Sequence, residues 1–533
     1  MTDILQSYAA LSASSSSSDV SAVLQSIIDT SSSAVDASTR TELLKCLLRD
    51  LKALSNGSVS STLSSDDAAQ ALLALKMLGR SPAGSEYLAS PANLSTLLAL
   101  SSSFKDDPVA SSEALRCVAN ALVLIEEART PFLEKEVDGG TFAISTLEET
   151  SLPDHIFVLS RILHRCIVSG PPFVRTMVES KWNGRSLVEI IGTKINTLTD
   201  EVLAGTRMAR EALCDLLKLT SVIAIHYPKM VEAEPQHSKD ADPNERIVLG
   251  DCWSHKLDGL LPPTLRAFMS LPPTSPSPIA IPLTNAIHAL ITIPINPELR
   301  PVWFGTSNTT PTPVVQRACD LLDASFSHYF PGAIDVDDES VRDRCKAESP
   351  DDRIDDLLLP LVALLTKFCI ADEASRVHVR QWIVPDNLDR TVPLEGRADI
   401  LGRCLRLLGS VYHPGLKAAV GEMLFAMCDS DAANLSSLVG YGNVAGFLFH
   451  KGVLNAPATT TNSTFNPSTS DTPINPITGM KQEPKQSLDM TDEEKAQEME
   501  KLFVLFDRME KTGAISPDQN PMRTVIQKAT FGG

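Results

Sequence analysis

The chain has 533 residues, longer than the roughly 100–200 that one compact core usually serves, so it holds several domains or a repeat architecture whose core grows along an axis. Aromatic residues make up only 5% and Leu and Ala dominate the apolar 43%, which favours helix-on-helix packing over sheet. A formal net charge of -19 repels phosphate backbones and argues against a general nucleic-acid binder, while leaving local basic clusters free to take an acidic or carboxylate-bearing partner.

The N-terminus, MTDILQSYAALSASSSSS, has no basic segment and no sustained apolar core, so it does not read as a signal peptide. From Leu5 to about Gly452 apolar residues recur with helical period. A pattern Ala-Leu-x-x-Leu, or a close variant, begins at Ala71, Ala114, Val158, Ala212 and Ala286. Its copies are 43, 44, 54 and 74 residues apart. Repeats of roughly 40–47 residues mark armadillo and HEAT solenoids, with loops inserted where the interval stretches. A non-repetitive helical bundle is the alternative. The fold class expected is therefore all-α, an armadillo/HEAT-like superhelical solenoid over residues 1–454. Polar, Pro-rich or acidic stretches at about 228–251, 271–278 and 334–356 read as surface insertions.

The ten cysteines show no C-x-x-C spacing and most lie in Leu-rich stretches, as buried reduced thiols of a cytoplasmic protein would. No zinc or disulfide framework is expected. The longest apolar run, Leu357 to Ala371, is interrupted by Pro360 and Lys367 and falls short of the roughly 20 residues of a membrane span.

After Leu454 the composition turns to Thr, Asn, Ser and Pro, and residues 455–490 read as a flexible linker. One helix is expected next, over 491–513, with 514–533 as a tail. Thr491 and Glu494 form a capping box, and Gly513 suits the C-terminal stop. Met499, Leu502, Phe503, Phe506 and Met509 make one apolar stripe. That stripe either docks back on the solenoid or grips a partner.

No phosphate loop, dinucleotide fingerprint, H-E-x-x-H or G-x-S-x-G occurs, and the ten histidines are scattered singly. Neither a catalytic residue, a metal site nor a cofactor is expected. Basic residues in helical register say more. Lys76 and Arg80 share a face, as do Arg376 and Arg380. Asn120 sits mid-helix in ALRCVANAL, where Asn is unfavourable unless it bonds something. On the inner wall of a solenoid these residues would make a groove suited to the carboxylate end of a peptide. A general armadillo-type adaptor is the other reading, but it would need acidic groove walls.

Several segments resemble the synembryn family in order. These are LPLVALLTKFCIADEASRVHVRQWIVPDNLDR, the GYGNVAG block at 440–446, the INPITG block at 474–479, and MTDEEKAQEMEKLFVLFDRM. EALRCVAN (113–120) and NAIHALITIP (285–294) look like family helices too. The resemblance implies a guanine nucleotide exchange factor and folding chaperone for heterotrimeric G-protein alpha subunits. It would act as a monomer in the cytoplasm, recruited to the plasma membrane through its partner. The concave face would hold the alpha subunit's C-terminal helix while the tethered helix contacts its nucleotide-binding domain. Lys76, Arg80, Asn120, Arg376 and Arg380 match polar groove positions of the family, whereas His164 stands where an aromatic is expected. Animal relatives carry an acidic, phosphorylatable segment before INPITG. Here that stretch is TTTNSTFNPSTSDTP, which points to Ser349 (S-P-D-D) or Thr491 (T-D-E-E) as the acid-directed sites instead.

Overall fold

The computed structural model describes residues 3–30, 35–58, 62–169, 171–231, 253–305, 312–348, 350, 353–453 and 474–481. Among them are 24 α-helices and one short hairpin, Lys181–Trp182 paired antiparallel with Arg185–Ser186. The first helices are α1 (Asp3–Ala9), α2 (Ser17–Asp29) and α3 (Ala37–Ser55); α4 (Ala68–Leu78), α5 (Pro82–Leu88) and α6 (Pro91–Ser103); α7 (Pro108–Leu124), α8 (Arg129–Leu133) and α9 (Gly139–Glu149). The middle of the chain forms α10 (Pro153–Ser169), α11 (Pro171–Glu179) and α12 (Leu187–Leu203); α13 (Ala209–Val231) and α14 (Leu261–Ser270); α15 (Leu283–Thr292), α16 (Arg300–Phe304), α17 (Pro313–Tyr329) and α18 (Glu339–Glu348). The last are α19 (Ile354–Ala371), α20 (Glu373–Ile383) and α21 (Ile400–Gly409); α22 (Pro414–Met427), α23 (Ala432–Val439) and α24 (Tyr441–His450).

Local chemistry starts these helices. The Asp107 carboxylate accepts from the backbone N–H groups of Val109 and Ala110 at the head of α7, and Asp372 accepts from Ser375 at the head of α20. Ser186 and Glu189 form a reciprocal capping box on α12. Proline opens α5, α6, α7, α17 and α22, where its missing N–H costs no helical hydrogen bond.

One row of helices runs through the whole stack. In order it is α4, α7, α10, α13, α15, α19 and α22, each packed against the next. The other helices flank this ladder; α6 lies on α7, α9 on α10, α12 on α13, α14 on α15, α17 on α19 and α21 on α22. The architecture is an all-α solenoid whose core extends along the row. The recurrent sequence pattern marks the ladder itself, because Ala71, Ala114, Val158, Ala212 and Ala286 lie on five successive ladder helices and are no more than 1% exposed. Small side chains at these positions let neighbouring helices approach closely, while the Leu residues beside them fill the seams.

Cations from one element repeatedly bond the carbonyl end of another, where orphan C=O groups and the helix dipole favour positive charge. Arg129 Nε donates to the Leu122 carbonyl at 2.7 Å at the end of α7. Lys194 Nζ donates to that of Glu148 at 3.0 Å at the end of α9, and Arg403 Nε to that of Phe330 at 3.0 Å just past α17. The nine described cysteines are free thiols, all buried except the half-buried Cys46. No single described helix is long and apolar enough to cross a membrane.

Two segments differ from their sequence reading. The acidic stretch 334–356 carries α18 and buries Val336, Val341 and Cys345. Its carboxylates are used internally: Asp337 accepts from Ser410 Oγ at 2.6 Å and from the Val411 N–H at 2.8 Å, while Asp355 accepts from the Gly415 N–H at 2.8 Å. The loop 271–278 has no helix, as expected, yet it is anchored, with Ser277 Oγ receiving the Tyr329 hydroxyl at 3.0 Å. Within the stretch read as linker, residues 474–481 are placed against α24. Of the third stretch, residues 228–231 are helical and close α13, and the rest lies outside the described residues.

Candidate partner-binding site

Ladder helices α7, α10 and α13 share a surface pattern that follows from helical geometry. Arg116, Arg161 and Lys218 are each followed seven residues later by an aliphatic side chain, Val123, Val168 or Ile225. Seven residues are two turns, so each pair shares a face. The three aliphatics are 39%, 47% and 39% exposed, high for such residues in the middle of a packed stack. Asn120 lies between the two rows on α7 and His164 lies between them on α10, both half-buried.

Contacts between neighbouring ladder helices show how the rows line up. The N-terminal turns of α7 and α10 meet, with Ser112 Oγ donating to Asp154 and the His155 ring 3.3 Å from the Pro108 carbonyl. Along α13 and the segment that leads into α15, the contacts Arg210–Ile281 and Cys214–Asn285 advance together. Counted from the start of each helix, Asn120, His164 and Ser221 fall within one residue of the same height.

Acidic side chains hold the basic row in place. Lys76 Nζ on α4 reaches Glu113 on α7 at 2.5 Å, and Arg116 reaches the same Glu113 at 3.1 Å. Arg116 also grips Asp154 on α10 with two guanidinium nitrogens, one at 3.0 Å. One step on, Asp215 on α13 accepts from Arg161 at 2.9 Å and from Lys218 at 3.1 Å. Arg161 also lies 4.4 Å over the Phe157 ring. Around His164 the cations Arg161, Arg165 and Lys218 outnumber the one acid, Asp215, so this stretch of an acidic protein is locally positive. Burial, with those cations behind it, holds the His164 imidazole below its ordinary range.

The residues expected to act together separate into two places. Lys76 and Arg80 belong to the start of the ladder, Lys76 buried in its bond to Glu113 and Arg80 exposed just past α4. Arg376 and Arg380 lie on α20, which packs on α19 and α22, five ladder steps away. At about 8–10 Å per step that is a path of about 40–50 Å. Arg376 bonds the exposed Asp429 at 2.9 Å in the turn after α22. Arg380 sits near Cys428 in the same turn. Asn120 and His164 are brought onto adjacent helices at one height. Ser349, Thr491 and the stripe Met499, Leu502, Phe503, Phe506 and Met509 lie outside the described residues. The aliphatic row and the Arg161–Asp215–Lys218 cluster escaped the sequence reading, although the spacing of seven between base and aliphatic in three successive ladder helices was its signal.

A model of the family described as the guanine nucleotide exchange factor synembryn, Ric8, matches residues 71–530. Among curated relatives, Chaperone Ric-8A of Danio rerio is 28% identical over 176 residues, 31% of this chain and 32% of the relative. Chaperone Ric-8 of Drosophila pseudoobscura pseudoobscura is 28% identical over 175 residues, 30% of this chain and 31% of the relative. Chaperone Ric-8A of Macaca fascicularis is 27% identical over 176 residues, 31% and 33%. The matched segment thus spans about a third of these relatives' length. With a family model running from the fourth helix almost to the C-terminus, and a helical ladder as its framework, the chain belongs to the Ric8, or synembryn, guanine nucleotide exchange factor family.

Proposed function

We propose that the three-row face of α7, α10 and α13 receives a helix of a G-protein alpha subunit, and that the chain serves as its exchange factor and folding chaperone. The observation that carries this reading is the repetition of base, half-buried polar group and exposed aliphatic, at matching places along the chain, on three successive ladder helices. An amphipathic helix laid across that face buries its apolar stripe on Val123, Val168 and Ile225 and sets its polar edge against Asn120 and the basic row. No side chain needs to make or break a covalent bond. A protein that binds the open, nucleotide-free alpha subunit more tightly than the GDP-bound one shifts the population towards the open form, and GDP leaves. The same preference stabilises an alpha subunit that has not yet acquired nucleotide. The chain works as a monomer in the cytoplasm and reaches the membrane through its partner.

The test is to mix the protein with purified GDP-loaded alpha subunit and follow nucleotide release. Val168→Asp places a charge in the aliphatic row at an exposed position, so it spares the fold and slows release at least about tenfold, the effect of about 1.4 kcal/mol. The double substitution Arg376→Ala and Arg380→Ala slows it further if the guest reaches α20. Unchanged release in Val168→Asp removes the face from consideration, and unchanged release in the double variant removes α20.

A further inference from the structure

Helix α24 is the last described helix of the stack. It packs on α21, α22 and α23 and buries Val444 and Leu448, while Phe447 lies edge-on to Phe425 with ring centroids 6.1 Å apart. Residues 474–481 clasp its head: the Tyr441 N–H donates to the Pro476 carbonyl and the Gly442 N–H to that of Ile477, each at 2.8 Å. Its outer face stays open among the described residues. Gly442, Gly446 and Phe449 are spaced by four and three residues, so they share that face. Phe449 is 50% exposed, and a Cβ on Gly446 would meet no atom within 4 Å. At the head of the face, Ile477 Cγ2 lies 3.6 Å from where a Cβ on Gly442 would stand, and Ile477 is itself 61% exposed. Two bulky apolar side chains thus bracket a shallow stretch about 10 Å long with glycine as its floor.

The two ends of the solenoid differ here. At the N-terminal end α2 lies on α4 and turns Ser18, Asp19, Gln25, Ser26 and Asp29 outwards. A polar outer surface is what the terminal unit of a repeat stack needs. The C-terminal end presents an apolar surface instead, as a face that another segment covers does.

The chain itself supplies the cover. Lys481, in the clasp on this same helix, is the last described residue, and the apolar stripe that begins at Met499 follows 18 residues further on. Large side chains in the stripe suit a face floored by glycine, where two backbones can approach closely. Charge agrees. Segments 440–453 and 474–481 contain no acid and bear His450, Lys451 and Lys481, whereas residues 491–513 carry seven acids against four bases. The acids beside those cations are Glu422, 2.6 Å from Lys451, and Asp389 near Lys481. A second copy of the chain would set this face against its own like charges. A guest on α7, α10 and α13 is three ladder steps from α22, about 24–30 Å away.

We propose that Met499, Leu502, Phe503, Phe506 and Met509 dock on the outer face of α24 and cap the solenoid while the protein is free of its partner. One consequence rests on the function proposed above: an alpha subunit that engages the stripe must first lift it from α24.

The experiment uses the full chain. A photoreactive benzoylphenylalanine replaces the exposed Phe449, and cross-linked peptides are identified by mass spectrometry. Cross-links to residues 499–509 of the same molecule are expected. Cross-links only between isotopically distinct copies, or only to other parts of the chain, overturn the docking. The same probe at Ile477 gives a second reading should the one at Phe449 disturb α24. In the double variant Phe503→Asp and Phe506→Asp, hydrogen exchange at the amides of α24 should speed up at least about threefold; unchanged exchange also overturns the docking. Nucleotide-free alpha subunit at saturation should at least halve the cross-linking. If it binds and cross-linking is unchanged, the competition for the stripe is overturned while the docking stands. If it does not bind, the proposed function fails, and the cross-links of the free chain still decide the docking.

Discussion

The two halves of the ladder are bridged by different chemistry. From α4 to α13 the steps are crossed by ion pairs between side chains: Lys76 with Glu113, which is buried, then Arg116 with Asp154 and Arg161 with Asp215, whose arginines reach the surface. From α13 to α22 they are crossed by groups sunk between the helices. Asn285 reaches the Cys214 carbonyl at 3.4 Å. Lys367, only 4% exposed, turns its ammonium into the end of α15, with the Ile291 carbonyl at 2.8 Å and those of Leu290 and Ile293 beside it. His413 stands 3.2 Å from the Asp355 carboxylate with its other nitrogen 3.2 Å from the Val336 carbonyl. The arginines of Arg116–Asp154 and Arg161–Asp215 are open to water, which screens their charges, so these pairs can re-form at little cost. The second half cannot, because each donor removed leaves buried acceptors without a partner.

This contrast can be broken at several points. The largest effect belongs to Lys367→Ala, which leaves the end of α15 without its donor and opens a cavity, and should cost about 3–5 kcal/mol in chemical denaturation. A loss below about 1 kcal/mol would mean that the end of α15 does not depend on it. Arg116→Ala, at the centre of the surface network, should cost about 1 kcal/mol at low ionic strength and less in high salt, measured by the same denaturation at two salt concentrations. A salt-independent loss would place Arg116 with the buried donors.

Acid should act on the first half through His155, which is 7% exposed. Its ring lies between the Thr150 hydroxyl and the Pro108 carbonyl, a pair that suits a neutral imidazole, and burial holds its pKa below the ordinary value. The unfolded chain therefore binds the proton more readily. The stability from this site is fully present above the ordinary histidine pKa of about 6.5 and is lost as pH falls towards the lower folded value. Melting temperature should drop between pH 7.5 and 5, and His155→Gln should flatten that part of the profile. The smallest effect is expected from Asp429→Asn. Asp429 has φ 58°, which Asn tolerates, so stability should change by less than about 0.5 kcal/mol while Arg376 loses an ionic partner. Alpha-subunit affinity should then rise a few-fold in a titration; no rise would separate α20 from the binding face.

The sequence disclosed the ladder because its signal is local. Ala and Leu at helical spacing mark a buried seam whatever the seam faces, so the copies at Ala71, Ala114, Val158, Ala212 and Ala286 all fell on ladder helices. It disclosed less of the acidic stretch 334–356, since a carboxylate capping a distant backbone looks the same in one dimension as one facing water. Asp337 and Asp355 meet residues 410–415 only after the chain has turned through α19 to α21. The contact between 440–442 and 474–479, where the Tyr441 and Gly442 N–H groups donate to the Pro476 and Ile477 carbonyls, was hidden for a related reason: it is made of backbone atoms, and its glycines mark close approach without naming what approaches. At the candidate site, Asn120 and His164 were singled out one by one, but their common height depends on the parallel stacking of α7 and α10.

The buried thiols give the stack a set of built-in reporters. Cys117, Cys166, Cys214, Cys369 and Cys404 lie on α7, α10, α13, α19 and α21, with Cys428 just past α22. Burial pushes them all up, Cys214 to about 11 and Cys166 and Cys404 to about 12, so none reacts appreciably while its layer is shut. The order in which a mild alkylating reagent takes them, read by mass spectrometry, is the order in which the layers breathe, and the layers that fall silent when a guest binds are the ones it clamps.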